Sequence, residues 1–291
     1  MQPAVIPHVS SQAMDSIFLC ISKHRTPVIV GWLVCLLIWE SAAPFFGFFQ
    51  SRARVRFWHG LKNMLVGLAS AIIPALGFVS LLVWLSRWAE AHHFGLLNLT
   101  PLPVWLHAAG AVLLLDVWTY GWHRANHRMP FLWRFHRVHH ADAQMDVTTA
   151  SRFHIGEIAM SSALRIPLVL CVGFKMGELA AFETLMLLVV QFHHANIGLP
   201  AWLDRLLRIF IVTPAMHKVH HSDLQPETDS NYTALFSVWD RIFRSFKLRT
   251  DPAAIQFGLR EFSEPSDQTF AGMMRMPFAG RASQPNNAKL R

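Results

Sequence analysis

The sequence predicts an all-α integral membrane protein whose transmembrane helices carry a cytoplasmic cap. Three observations support this fold class. Hydrophobic residues make up 53% of the 291 positions and charged residues only 15%, outside the range of ordinary soluble domains. Several apolar runs approach the roughly 20 residues that a membrane-spanning helix needs. Positive charges gather between particular runs, a pattern that orients membrane proteins.

The apolar runs predict the membrane helices in chain order. Three of them predict single spans near 27–49, 64–86 and 104–122. A fourth, 163–192, is too long for one helix and is interrupted between Gly173 and Gly177, which predicts a helical hairpin. The two glycines also fit a G-x-x-x-G packing motif, but a turn is the better interpretation.

Loop charges predict the orientation in the membrane, because positive loops stay in the cytoplasm. The first two spans are separated by Arg52, Arg54, Arg56 and Lys62, and the third is followed by Arg124, Arg128, Arg134 and Arg137. Arg87 and Glu90 nearly cancel before the third span. We therefore expect Arg54, His136 and His220 inside and Glu90 outside, with an external N-terminus that Lys23 and Arg25 weakly oppose.

Domain organisation follows from these runs. We divide the chain into an N-terminal segment (1–26), one membrane-embedded domain (27–246) and a C-terminal tail (247–291). The last stretch, 281–291, has a Ser, Asn and Pro composition typical of disorder.

Composition also limits the chemistry. Cys20, Cys35 and Cys171 are odd in number and widely spaced, so neither a disulfide framework nor a thiolate metal site is predicted. No G-x-G-x-x-G or G-x-x-x-x-G-K-[ST] motif occurs, which excludes the usual nucleotide-binding loops. The net charge of +8, in a chain this hydrophobic, favours the membrane and not nucleic acid as a partner.

Histidine is the anomalous residue type, with 17 positions against two tyrosines. One H-x-x-x-H motif is expected by chance at this frequency, but H-x-x-H-H, which occurs twice, is expected far less than once. The eight motif residues are His123, His127, His136, His139, His140, His217, His220 and His221.

The spacing of these residues predicts a metal site. Side chains at i, i+3 and i+4 share one helix face, and neutral imidazole binds iron, zinc, copper and nickel. Eight histidines exceed the needs of one ion, so two metals in an all-nitrogen cage are the economical interpretation. Between the motifs, His154 and His194 are further candidates that spacing alone leaves undecided.

These motifs resemble the sterol desaturase and fatty acid hydroxylase superfamily of integral-membrane di-iron enzymes. The resemblance rests on DVWTYGWHRANH (116–127), TPAMHKVHHS (213–222) and the NY and WDRIF elements at 231–243, and it covers roughly 31–246. It implies an α-helical fold of about four spans, the last a hairpin, with a helical histidine-rich cap. It also implies two Fe²⁺ ions, O2 as co-substrate and oxidation of an aliphatic lipid C–H bond.

Position by position, the resemblance implies ten metal ligands. They are His123, His127, His136, His139, His140, His154, His194, His217, His220 and His221. His194 precedes Asn196 as in the family's His-x-Asn, whereas His193 does not match. His154 falls on a family His-Pro-x-Glu element in which this chain keeps Glu157 but has Ile155 in place of proline.

Two acidic residues near the motifs are candidates for indirect roles. Asp116 lies seven residues before His123 on the same helix face, where a carboxylate would orient an imidazole. A polar contact within the helix bundle is the alternative. Spacing assigns no role to Asp240, and a helix cap or a salt bridge to an arginine would fit equally well.

The leading hypothesis is a membrane-bound di-iron oxygenase that hydroxylates or desaturates a lipid or sterol-like substrate. Zinc cannot supply electrons, which favours iron. With no Cys-rich cluster or flavin-type loop, electrons must come from a separate reductase, ferredoxin or cytochrome. The absence of a fused cytochrome domain points to a bacterial inner membrane.

Other function classes fit the sequence less well. A non-catalytic membrane haem or metal-binding redox protein should carry axial histidines singly on its spans, and a metal transporter should line its spans with histidines. Only His107 lies within a predicted span. A zincin protease needs H-E-x-x-H, which is missing from the sequence.

Overall fold

A computed structural model of the chain describes residues 11–49 and 52–280, and these residues form helices and turns without a β-strand. Five helical segments among them are long and apolar enough to cross a membrane. The predicted all-α class and the multi-span architecture are therefore confirmed. The N-terminal residues 1–10 and the predicted disordered end, 281–291, lie outside the described residues.

Helix α1 (Ser11–Ala42) starts earlier and ends earlier than the span predicted at 27–49. It stops before Pro44, which has no backbone N–H to donate the next helical hydrogen bond. The phenylalanines that follow leave the helix, and Phe46 packs against Phe257 in the C-terminal tail with ring centroids 5.1 Å apart. The aromatic run therefore belongs to the cap.

The second apolar run contains two helices, α2 (Ala53–Ile73) and α3 (Val79–Ala91). Pro74 begins the break between them, and Gly77 adopts a φ of +122° that L-amino acids rarely take. The predicted span 64–86 thus crosses a kink. In the last turn of α3, Glu90 pairs with Lys175 at 3.3 Å, so α3 ends beside the turn of the hairpin.

The long helix α4 (Val104–Arg128) covers the third predicted span and continues beyond it, and α5 (Pro130–His140) follows after Met129 alone. Proline suits the first turn of a helix because its missing N–H has no partner there. The chain therefore changes direction at Met129 without a loop.

The predicted hairpin is confirmed as α6 (Ile155–Val172) and α7 (Met176–His194). Gly173 ends α6 in the left-handed conformation, with φ +80°, which confirms the turn interpretation of this segment. Helix α7 runs parallel to α1, where the Trp32 indole donates to the Leu188 carbonyl at 2.9 Å.

The cap is built from short helices after α7. They are α8 (Ala201–Leu207), α9 (Pro214–His220), α10 (Gln225–Thr228), α11 (Val238–Ile242) and α12 (Phe270–Arg275). The described part of the tail is ordered on the cap, because Leu259, Phe262 and Met273 bury themselves against Trp133 and Val138 of α5.

Candidate metal centre

Two helix junctions position the motif histidines. At the first, His123 and His127 occupy the last turns of α4, and the break at Met129 turns the α5 triplet towards them. At the second, His194 ends α7, and the α9 triplet lies on the helix that begins at Pro214. Both junctions lie at the cap end of the long helices.

The described residues contain two groups of histidines whose ring nitrogens lie within 4.8 Å of one another. Site 1 comprises His123, His127, His136, His140 and His220. Site 2 comprises His139, His194, His217 and His221. The two sites are neighbours, since the ring of His140 stacks on that of His221 with centroids 4.4 Å apart. The fold thus assembles nine of the ten predicted ligands.

In site 1 the ring nitrogens are oriented for a cation. His123 donates from Nδ1 to the Tyr232 carbonyl at 2.6 Å, and His220 donates from Nδ1 to the Ser230 carbonyl at 2.6 Å. Each ring in its neutral form then has a bare lone pair on Nε2, and these two Nε2 atoms face each other at 3.1 Å. Two facing lone pairs repel unless a positive ion lies between them.

Site 2 has the same construction. His194 donates from Nδ1 to the Val190 carbonyl at 2.7 Å, which leaves its Nε2 as an acceptor. That atom lies 3.1 Å from Nε2 of His139 and 3.0 Å from Nε2 of His217. The three Nε2 atoms converge, and that of His194 has no proton to donate to the other two. This arrangement suits a metal ion that prefers imidazole ligands.

Electrostatics keep these imidazoles in the form that binds metal. Burial lowers the pKa of His220 to about 3, and it lowers the pKa values of His139 and His217 well below the usual range, with neighbouring imidazoles adding to the effect. The rings are therefore neutral at physiological pH, with lone pairs available to a metal.

Glu157 orients a histidine of site 1. Its Oε1 accepts from Nδ1 of His136 at 2.9 Å and from the amide of Asn126 at 3.1 Å. The contact sets the His136 tautomer, so that Nε2 points towards Nε2 of His123 at 3.1 Å. Glu157 was noted in the sequence only as part of a motif around His154.

Asp116 accepts hydrogen bonds from the segment around Phe236 and Trp239 and not from an imidazole. Its Oδ2 accepts from the Phe236 backbone at 3.0 Å and from the Trp239 indole at 2.8 Å. The structure therefore matches the alternative of a polar contact within the bundle. The carboxylate ties the segment after Asn231 to the middle of α4.

Asp240 is neither a helix cap nor an arginine partner. Its carboxylate accepts from the backbone N–H groups of Tyr232 at 2.8 Å and Thr233 at 3.1 Å. Because the Tyr232 carbonyl is the acceptor for His123, Asp240 indirectly fixes one imidazole of site 1. The local sequence offered no signal for this role, since the linking groups are backbone atoms.

Two further positioning residues connect α1 and α9 to the end of α7. Glu40 accepts from the backbone N–H groups of Asn196 at 2.9 Å and Val147 at 3.1 Å. Lys218 donates to the carbonyls of Ala195 at 3.1 Å and Ile197 at 2.9 Å. Both hold the segment directly after His194. A carboxylate inside the apolar run 27–49 was the only sequence signal for Glu40.

His154 and His193 lie outside the two sites. His154 begins α6, where its Nδ1 accepts from the Gly156 backbone at 2.9 Å and its Nε2 faces the Met274 carbonyl at 3.2 Å. His193 is buried, with its ring centroid 3.9 Å from that of His217. Of these two, His193 is the one that contacts a site.

A cavity of about 250 Å³ opens beside both sites, between α4, α6 and α7. We call it the histidine cavity. His123 and His136 of site 1 and His139, His194 and His217 of site 2 reach its wall, together with His193. The remaining lining is largely apolar, with side chains such as Ile158, Met186 and Leu187. The space is suited to an aliphatic chain held against the imidazoles.

The helices and the two histidine sites together define a multi-span helical protein with two adjoining groups of histidines that could each hold a metal ion. The family model "Fatty acid hydroxylase" matches residues 108–245, the segment that carries both sites. This match agrees with the family resemblance seen in the sequence.

Curated relatives agree with this assignment. The chain is 29% identical over 143 residues to ornithine lipid hydroxylase OlsE of Rhizobium tropici, covering 47% of this chain and 40% of the relative. It is 28% identical over 144 residues to human alkylglycerol monooxygenase, covering 48% and 31%. Human cholesterol 25-hydroxylase is 23% identical over 149 residues, covering 50% and 53%. The chain thus spans about a third to a half of these relatives, and no solved structure matches it.

Proposed function

We propose that this protein is a membrane-bound di-iron oxygenase that hydroxylates or desaturates an aliphatic position of a lipid. One observation carries the proposal: two adjoining sites of converging, neutral imidazoles face an apolar cavity. The relatives named as lipid hydroxylases and monooxygenases support the substrate class.

The donor set is consistent with two iron ions. Imidazole suits iron, zinc, copper and nickel alike, but the proposed reaction requires a metal that changes oxidation state. When bound, two iron ions supply the site at which O2 is reduced and the C–H bond is oxidised. Site 1 would hold one ion and site 2 the other.

The chain's own residues supply orientation and shielding. Glu157 and the carbonyls of Ser230 and Tyr232 hold imidazoles of site 1 in one tautomer, so that little reorganisation accompanies metal binding. The apolar walls exclude water from the position next to the imidazoles. An aliphatic chain in the cavity would lie against both sites.

The stoichiometry of the proposed reaction defines how many electrons the redox partner must provide. Hydroxylation consumes O2, two electrons and two protons, and yields an alcohol and one water. Desaturation consumes the same reagents and yields an alkene and two waters. A separate reductase, ferredoxin or cytochrome would deliver the electrons from the cap side.

The test compares lipids from cells that express the protein with lipids from cells that express His139→Ala and His221→Ala variants. A product heavier by one oxygen, or lighter by two hydrogens, is expected only with the intact protein. Isotopically labelled O2 separates the two outcomes, because only the alcohol retains the label. Product formation without O2, or with zinc as the only metal, would refute the proposal.

A further inference from the structure

Two grooves on the outside of the helix bundle flank the histidine cavity. The first, of about 360 Å³, lies between α2, α6 and α7, and we call it the α2 groove. The second, of about 460 Å³, lies between α4 and α6, and we call it the α4 groove. Both are open to the surface that the spanning helices would present to lipid.

Of the two grooves, the α2 groove shares more lining residues with the cavity. Ala150, Phe153, Ile158 and Leu187 line both spaces, so the groove and the cavity are separated only by the thickness of these side chains. The α4 groove shares Trp122 alone with the cavity. The α2 groove therefore shares the larger part of its wall with the cavity.

Backbone contacts hold the wall between groove and cavity. The hydroxyl of Ser70 donates to the Phe153 carbonyl at 2.5 Å. Gly67 packs so closely that a Cβ there would lie 2.8 Å from the Ser151 carbonyl oxygen. With the backbone held by α2, passage through this wall would require the Phe153 side chain to rotate. Its ring stacks on that of His139, with centroids 4.4 Å apart.

The outer rim of the α2 groove is apolar and exposed. Leu68 is 66% exposed, and Leu65 and Ile72, three and four residues away on the same face of α2, are also exposed. Exposed leucines and isoleucines on a helix of spanning length face lipid tails. The occupant that this rim fits is the hydrocarbon chain of a membrane lipid.

We propose that the α2 groove is the doorway through which a lipid's aliphatic chain enters the histidine cavity, with Phe153 as its inner gate. This inference rests on the proposed function and adds the route by which the lipid substrate reaches the histidine cavity. It is independent of whether the chain is then oxidised, because entry requires neither metal nor turnover.

The test fills each groove with one tryptophan. Ala71→Trp would occupy the α2 groove, and Leu68→Trp offers a second substitution in the same groove. Gly121→Trp is the matched control in the α4 groove, where a Cβ meets no atom within 4 Å. Each variant is reconstituted in lipid nanodiscs that contain a long-chain fatty acid with a terminal diazirine. After illumination, mass spectrometry measures labelling of cavity-lining peptides.

Ala71→Trp and Leu68→Trp should each remove most of the labelling of the α7 peptide around Met186 and Val190, because the indole occupies the space that the aliphatic chain would use. Gly121→Trp should leave that labelling unchanged. Unfolding curves that match the wild type establish that the variants fold. Loss of labelling in Gly121→Trp alone, or equal labelling in all variants, would overturn the doorway. Absence of an oxidised product with the labelling pattern intact would contradict the oxygenase proposal and not the doorway.

Discussion

Glu157 on α6 accepts a hydrogen bond at 2.9 Å from Nδ1 of His136 on α5, in the interior of the cap. A second imidazole–carboxylate contact lies near the hairpin turn, where Glu178 accepts from Nδ1 of His107 at 2.6 Å. Both glutamates are buried, but only His136 belongs to a histidine site. Comparing variants of the two glutamates therefore distinguishes the effect of a buried carboxylate on metal binding from its effect on the fold.

We expect Glu157→Gln to weaken metal binding at site 1 by about 10- to 100-fold, the usual cost of losing a partner that orients a metal ligand. The amide lacks the charge that favours a donating Nδ1–H on His136. Competition with a calibrated chelator measures the affinity. Glu178→Gln is the control and should bind metal like the wild type. Equal affinities in the two variants would contradict the role of Glu157.

Much of this centre was predictable because helical spacing is local. Residues at i, i+3 and i+4 share a face whatever the tertiary structure, so the α5 and α9 motifs identified six ligand candidates directly. The hairpin was predictable because Gly173 and Gly177 interrupt an apolar run. Family resemblance added His194, for which spacing alone was undecided.

The parts that escaped prediction depend on contacts distant in sequence. The carbonyls of Ser230 and Tyr232 orient two imidazoles, but every residue has a carbonyl, so no side-chain pattern reveals which ones do so. Asp116 shares a helix face with His123, yet the segment around Trp239 occupies its carboxylate first. Hydropathy likewise could not show the kink at Gly77 within one apolar run.

Alanine variants of His154 and His220 should differ in metal content. His220→Ala removes a nitrogen that faces His123 across site 1, so we expect the ion at site 1 to be lost. His154→Ala should retain both ions, because its ring contacts the Gly156 and Met274 backbone and neither site. Elemental analysis of purified protein, expressed as ions per chain, decides the matter. Equal metal loss in both variants would make His154 a ligand after all.

Asp240→Ala tests whether a loop orients site 1. The substitution leaves the backbone N–H groups of Tyr232 and Thr233 without their acceptor, at a cost of about 1–3 kcal/mol for each buried group. We expect the loop to shift, His123 to lose its partner and the metal content to fall towards one ion per chain. Asp204→Ala, which removes another buried carboxylate of the cap, should keep both ions. Full occupancy of both sites in Asp240→Ala would refute the coupling.

The orientation in the membrane is predicted from loop charge, and the structure supplies positions at the two ends to test it. Ser263 is exposed on the cap, and His93 is exposed just beyond α3 at the opposite end. In a background with Cys20, Cys35 and Cys171 replaced by alanine, we expect His93→Cys to react with an impermeant maleimide in intact cells. Ser263→Cys should react only after the membrane is opened. The reverse pattern would place the histidine sites outside.

The buried histidines of the cap predict how the metal-free protein responds to acid. Burial lowers the pKa values of His139, His140, His217, His220 and His221 below the ordinary value of about 6.5 in the unfolded chain, to about 3 for His220. Below pH 6.5 these histidines therefore become protonated in the unfolded chain while they stay neutral in the folded chain. The free energy of unfolding should be independent of these groups above pH 6.5 and should fall as the pH decreases from there towards 3. Denaturant unfolding of chelator-treated protein in detergent micelles measures it, and His220→Asn should show a shallower decline than the wild type. A wild-type stability that stays constant between about pH 7 and pH 5 would contradict neutral, buried imidazoles.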